Sequence, residues 1–193
     1  MILPIEVYGA SVLRGETLEV QEMTPELEAL IANMIETMHQ ASGIGLAAPQ
    51  VGRLERLFIV DLGPMAEEMA EDGIELPPQP MVFINPEIIE ESDVEVDYEE
   101  GCLSIPDIRE TVYRPEWIRI TYLDRNFEPQ ELMADDMLAR VIQHEYDHLE
   151  GILFVDHISA FRRRLLRRRL REMSNGKVEA DYILALGESN QPA

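Results

Sequence analysis

Apolar residues recur at Leu27, Leu30, Ile31, Met34, Ile35 and Met38, a spacing of three and four that predicts a helix from about Thr24 to Ala41 with one buried stripe. Thr24 can cap it, Pro25 suits its first turn and Ser42-Gly43 ends it. The following stretch, Gly43-Ile44-Gly45-Leu46-Ala47-Ala48-Pro49-Gln50, is too rich in small residues for a core element and is expected to be a loop open to close backbone approach. Strands are predicted at Leu57 to Asp61 and Met81 to Asn85, joined by a long, acidic, Pro-rich connection from Leu62 to Pro80. Period-two segments follow near Glu87 to Tyr98, Thr111 to Arg114 and Trp117 to Leu123. A turn at Asp124-Arg125-Asn126 then leads to a short strand near Gln130 to Met133, so the middle of the chain reads as antiparallel sheet.

A second helix is predicted from Asp135 or Asp136 to Leu149, with Met137, Leu138, Val141, Ile142 and Leu149 turned to the core and Gly151 placed to stop it. A third spans about Ser159 to Met173, with Phe161, Leu165, Leu166, Leu170 and Met173 on its apolar side. From Ser174 the chain is expected to be a loose tail in which Tyr182 to Leu186 could dock.

Length and composition, 193 residues with 46% apolar and 28% charged side chains, fit one globular domain. The formal charge of -22, from 38 acids against 16 bases, argues against coating nucleic acid or anionic lipid with the whole surface. The charge is unevenly spread, because Arg162 to Arg171 carries seven of the sixteen bases and no acid. An acidic body thus bears a basic stub, and with a single Lys its surface suits solubility at high salt. No apolar run approaches the roughly 20 residues of a spanning helix. One Cys and no signal-peptide pattern point to a reducing cytoplasm.

Chemistry concentrates in His144-Glu145-Tyr146-Asp147-His148. Residues four apart on a helix share a face, so two imidazoles can grip one divalent ion with Glu145 beside it, the geometry of a metal-dependent hydrolase. Two ligands leave such an ion under-coordinated, and Cys102, in Glu99-Glu100-Gly101-Cys102-Leu103-Ser104, is the leading third. A zinc peptidase with a downstream Glu as third ligand is the rival, and Glu172 lies within a plausible interval.

The segments Gly43 to Gln50, Glu100 to Ser104 and Gln143 to His148, in that order and spacing, resemble the three motifs of the bacterial peptide deformylases. The likeness runs from about Leu3 to Asp156. It implies a single-domain α+β fold with antiparallel β-sheets around a central metal-binding helix, divided here into a catalytic part, 1–158, and a basic C-terminal helix with a flexible tail, 159–193. It also implies hydrolysis of the formyl group from the N-terminal formylmethionine of nascent polypeptides. Carried over by position, Cys102, His144 and His148 would hold Fe²⁺, with Zn²⁺, Ni²⁺ or Co²⁺ as substitutes. The ion would lower the pKa of its bound water, the nucleophile, from near 15.7 to about 7. Glu145 would be the general acid/base, and the Gln50 amide and Leu103 N–H would stabilise charge on the formyl oxygen. Ile44, Gly45, Gly101, Met137 and Val141 would bind substrate, with Gly45 admitting its backbone as an added strand. Arg109 matches an Arg that family members carry. A C-terminal helix helps some bacterial members meet nascent chains, so Arg162 to Arg171 would be a ribosome contact, whereas packing on the acidic body is the simpler reading. Neither a membrane nor sequence-specific nucleic acid is expected as a partner.

Overall fold

The computed structural model describes residues 1–186. In chain order the elements are β1 (Ile5–Glu6), α1 (Pro25–Gln40), β2 (Gly45–Ala47), β3 (Leu57–Val60), α2 (Ala66–Glu71), β4 (Met81–Glu91), β5 (Glu95–Cys102), β6 (Ile105–Pro115), β7 (Trp117–Leu123), β8 (Pro129–Asp135), α3 (Asp136–Leu149), α4 (Ala160–Ser174) and β9 (Leu184–Ala185). The central sheet is antiparallel with order β2-β3-β4-β7-β8, while β5 and β6 form a separate two-stranded ribbon and β1 pairs with β9 in parallel. This is the α+β class that the resemblance implies, and the antiparallel middle is the one that the pattern predicts.

The inner strands are apolar on both faces because a helix covers each. On β3, Phe58 and Val60 join the cluster beneath α3, whereas Leu57 and Ile59 join the one beneath α1. On β4, Met81 and Phe83 take the first side and Val82 and Ile84 the second. Thr24 caps α1 as expected, accepting from the Leu27 N–H at 3.2 Å. Gly151 follows α3 in the left-handed region, φ +68°, and a β-carbon there would press on the Arg14 backbone.

Four expectations are corrected. Gly43 to Gln50 is not an open loop: Gly45–Ala47 is a fully buried strand and Ala48–Val51 a 3-10 turn. Its small side chains serve close packing against α3, which composition alone does not distinguish from openness. The acidic connection contains α2, whose Met69 plugs the core while its acids stay in solvent. The strand from Met81 continues through Pro86 to Glu91, its alternation broken by register shifts after Ile84 and Ile88, and the true turn is at Ser92. The tail is not loose as far as Leu186, and the docking allowed for Tyr182 to Leu186 occurs: β9 pairs with β1, and Val178, Leu184 and Leu186 pack on the cluster formed by Ile105, Ile108, Val112 and Phe154. Residues 187–193 of the expected tail lie outside the described residues.

α4 packs on the same cluster through Leu170 and Met173, with Leu166 partly covered. Phe161 and Leu165, expected on its apolar side, are instead exposed.

Candidate metal centre and active site

The helix α3 is amphipathic in an unusual sense, because its inward face carries both the apolar stripe and the chemistry. Leu138, Val141, Ile142 and Leu149 bury against the sheet, and the same winding brings His144, Glu145 and His148 inside. Cys102 reaches them from the end of β5, where its pairing shifts from the regular ladder to face Ile105 across a tight turn. The ligand atoms of Cys102, His144 and His148 all lie within 4.8 Å of one another. The Cys102 sulfur is 3.3 Å from His148 Nε2, and the two imidazoles stand edge to face.

One thiol and two imidazoles are a donor set for a borderline or soft divalent metal, with a fourth position free. Among the described residues, buried Glu145 Oε2 has no hydrogen-bond partner beside the three donors, a costly arrangement unless the site receives something polar. The residues therefore fit a metal ion. Glu172 does not take part, as it pairs with Arg168 within α4, and the rival third ligand falls away.

Electrostatics separate the titrating groups. Burial disfavours charge on His144, but the Cys102 and Glu100 contacts outweigh it and hold its pKa well above the usual value. Burial and the nearby His144 charge push His148 well below. Burial pushes the Glu145 carboxyl up to about 7; the His144 charge opposes that shift and the Glu100 carboxylate adds to it.

A group of charged residues behind the metal face was not singled out in the sequence. Glu100, though buried, accepts from Arg114 Nε at 2.6 Å, Arg114 Nη2 at 3.0 Å and Arg140 Nη1 at 2.9 Å, and it meets His144 Nδ1 at 2.8 Å. Arg114 also holds Asp147 at 2.7 Å, and Asp147 holds His157. Burial alone would raise the Glu100 pKa, but His144 and Arg114 outweigh it and keep the carboxyl well below its ordinary value. A signal existed: on β6, Glu110 and Arg114 fall on the inward alternation with Ile108 and Val112.

A cleft of about 880 Å³ opens over this centre. Its lining includes Ile44, Gly45, Gln50, Gly101, Cys102, Leu103, Met137, Val141, His144 and Glu145, and His148 lies buried beneath. The wall also contains Met65, ahead of α2, and the tail residues 179–182, neither of which sequence reasoning assigned to the site. Arg109 lines the cleft and makes an exposed pair with Glu99. Gln50 is held by its oxygen, which accepts from the Ala47 N–H at 2.8 Å, leaving its amide nitrogen 3.4 Å from the Cys102 sulfur and 3.3 Å from Ser104 Oγ. Gly45 has a reason of its own: a β-carbon there would overlap the Glu145 carboxylate.

Comparison with known proteins gives one family. The polypeptide deformylase family model matches residues 2–164. A peptide deformylase of Salinibacter ruber is 69% identical over 95% of this chain and 94% of its own length, and one of Christiangramia forsetii is 47% identical with 94% of each covered. Among solved structures, the peptide deformylase of Ehrlichia chaffeensis superposes with a TM-score of 0.80 at 34% identity, covering 89% of this chain and 96% of that one.

Two substitutions test the construction of the centre. Glu100→Ala strands Arg114 and Arg140 in the interior and frees His144 Nδ1. It is expected to cost roughly 3–5 kcal/mol in denaturant unfolding and about 10–100-fold in metal affinity; unchanged affinity would show that His144 needs no such support. Gly45→Ala should unseat Glu145 at about 1–3 kcal/mol, and an unshifted unfolding midpoint would mean that the carboxylate moves aside freely.

Proposed function

The chain belongs to the peptide deformylase family, and on that premise we infer that it is a metal-dependent hydrolase removing the formyl group from the N-terminal formylmethionine of nascent polypeptides, with release of formate. The observation that carries the reading is the convergence of the single Cys with both His of α3 beside a buried, unpartnered Glu in an open cleft.

Cys102, His144 and His148 hold the metal, and Fe²⁺ is the ion proposed, with Zn²⁺, Ni²⁺ and Co²⁺ able to replace it because this donor set discriminates weakly among them. When bound, the ion supplies Lewis acidity and a water acidic enough to ionise near neutral pH. Glu145 accepts the proton and returns it to the departing amine; a carboxyl raised by burial toward 7 suits both tasks. The Gln50 amide nitrogen and the Leu103 N–H donate to the formyl oxygen as charge builds there. Support for Gln50 is its fixed orientation, with the oxygen already engaged and the nitrogen aimed at the centre.

The peptide enters as an added strand. β2 is the edge of its sheet and β5 belongs to a two-stranded ribbon, so each has an unpaired side, and residues of both line the cleft. Gly45 and Gly101 take the backbone, while Ile44, Met137 and Val141 enclose the methionine side chain.

We propose 1–158 as the catalytic part and 159–193 as an appended segment, of which 179–182 nonetheless contribute a wall to the cleft. For α4 we propose contact with ribosomal RNA phosphates. Arg162 grips buried Glu110, Arg163 pairs with Asp156, Arg168 with Glu172, and Arg169 bonds the Asp107 carbonyl. Arg164, Arg167 and Arg171 make no ion pair among the described residues, and their spacing of three and four puts them on one exposed face. Among the described residues, no helix is long and apolar enough to cross a membrane. A single Cys used as a ligand fits a reducing cytoplasm.

Formate release from formyl-Met-Ala-Ser should fall by about 10²–10⁴-fold in Glu145→Ala while metal content stays the same. Release unaffected by that change would overturn the mechanism. Protein purified without oxygen should carry iron and lose activity in air, whereas tightly held zinc with oxygen-indifferent activity would refute the iron assignment. In sedimentation with ribosomes across a salt series, Arg164, Arg167 and Arg171 changed together to Glu should abolish a salt-sensitive association shown by the parent chain. An unaltered salt profile removes the ribosome from the account.

A further inference from the structure

Leu103 and Ser104 are the two central residues of the turn that joins β5 to β6, since Cys102 is paired with Ile105. Peptides at such a turn lie outside the ladder, and a two-residue turn has more than one accessible form. The deformylase reading asks Cys102 to hold the metal and the Leu103 N–H to meet the formyl oxygen, so the turn must be confined to one of them.

Three contacts confine it. A β-carbon at Gly43 would come within 2.8 Å of Leu103 Cδ1, so the Leu103 side chain packs directly over the glycine. The Tyr8 N–H donates to the Ser104 carbonyl at 2.9 Å. The Leu103 carbonyl accepts from the Tyr182 hydroxyl at 2.8 Å, a bond spanning 79 residues of sequence. Tyr182 is itself held on both sides: Val178 precedes it and Leu184 and Leu186 follow, all packed on the β6 cluster, while the Ile5 N–H donates to the Ile183 carbonyl at 2.9 Å. The segment 179–182 is thereby fixed as a wall of the cleft.

We propose that Tyr182 is a positioning residue for deformylation, its phenol holding the Leu103–Ser104 peptide so that the Leu103 N–H and the Cys102 sulfur stay aimed at the reacting centre. The proposal rests on the assignment of Leu103 as an oxyanion donor. Burial pushes the phenol's pKa up, and the negative charges of Cys102 and Asp107 add to it, so the group remains a donor at working pH. The contact deletes cleanly, because Tyr182→Phe keeps the ring and its packing.

In the full-length metal-loaded enzyme, Tyr182→Phe is expected to lower kcat for formyl-Met-Ala-Ser by about 3- to 10-fold, with KM, metal content and Tm essentially unchanged. A peptide aldehyde, whose hydrated form carries the tetrahedral oxygen, should lose affinity by the same factor, while the product Met-Ala-Ser should not. A purely structural role would move Tm or metal content and leave the aldehyde-to-product ratio alone. An unchanged kcat, or a loss matched by KM, metal content or Tm, overturns the proposal. Gln50→Leu separates the two layers of the argument. It should cost roughly 10²-fold if the oxyanion site is as described. Loss there with a silent Tyr182→Phe removes Tyr182 alone; a silent Gln50→Leu removes Gln50 from the oxyanion site but leaves the Leu103 N–H, whose own role fails if the aldehyde binds the parent enzyme no more tightly than the product does.

Discussion

The Glu100 carboxylate is the point on which the centre depends. A charge taken out of water costs several kcal/mol unless excellent geometry compensates it, and Glu100 is compensated by two guanidiniums and an imidazole drawn from two elements: Arg114 on β6, Arg140 and His144 on α3. Those bonds fasten the ribbon that carries Cys102 to the helix that carries both His. They also engage His144 through Nδ1, which leaves Nε2 to face the sulfur, the way a supporting carboxylate orients a ligating imidazole. Arg140 also donates to the carbonyls of Val112 and Val96, so the guanidinium grips both strands of the ribbon. Fold and site share one network. Losing a partner would leave a buried charge and a misaligned ligand together.

Steric demand at β2 is the complementary constraint. Glu145 sits one residue along α3 from His144, on a face pressed against the sheet, and there is room for its carboxylate only because position 45 has no side chain. The strand's neighbours, Leu46, Ala47 and Ala48, are buried completely, which locks the glycine in place and keeps the edge that borders the cleft in register with β3. A stretch rich in small residues is thus a packing surface on one side and a peptide-binding edge on the other.

How far the sequence could be read follows from the range of each interaction. His144, Glu145 and His148 declare themselves because helical spacing is local, and Cys102 because a lone thiol in a motif has few other roles. The apolar stripe of α1 and the alternation of β7 are likewise local and match the structure closely. The Glu100 hub bridges 14 residues to Arg114 and 40 to Arg140, separations no periodicity encodes. Tyr182 is more distant still: the apolar residues of Tyr182 to Leu186 hint that the tail docks, but nothing local says that it docks beside the Cys102 turn. Pro86 and the register shifts of β4 disguised one long strand as two. The one available clue, charges on the inward alternation of β6, would have flagged Glu110 and Arg114 as paired in the interior.

That same pairing explains why net charge is a poor guide to partners here. Glu110, buried on β6, is neutralised by Arg162 of α4, and Asp156 is shared by Arg163 and Arg14. Part of the basic run is therefore counter-charge spent on the body, fastening the helix by pairs whose carboxylates are largely covered while the arginines stay open to water and to salt. Only the arginines on the opposite side of the helix remain to act at a distance. They stand next to the uncovered Phe161 and Leu165, so the outward surface of α4 combines cationic and apolar groups while the rest of the molecule repels polyanions. A net charge of -22 and a local cluster of arginines unpaired among the described residues are thus compatible, because the first averages over the surface and the second is confined to one face of one helix.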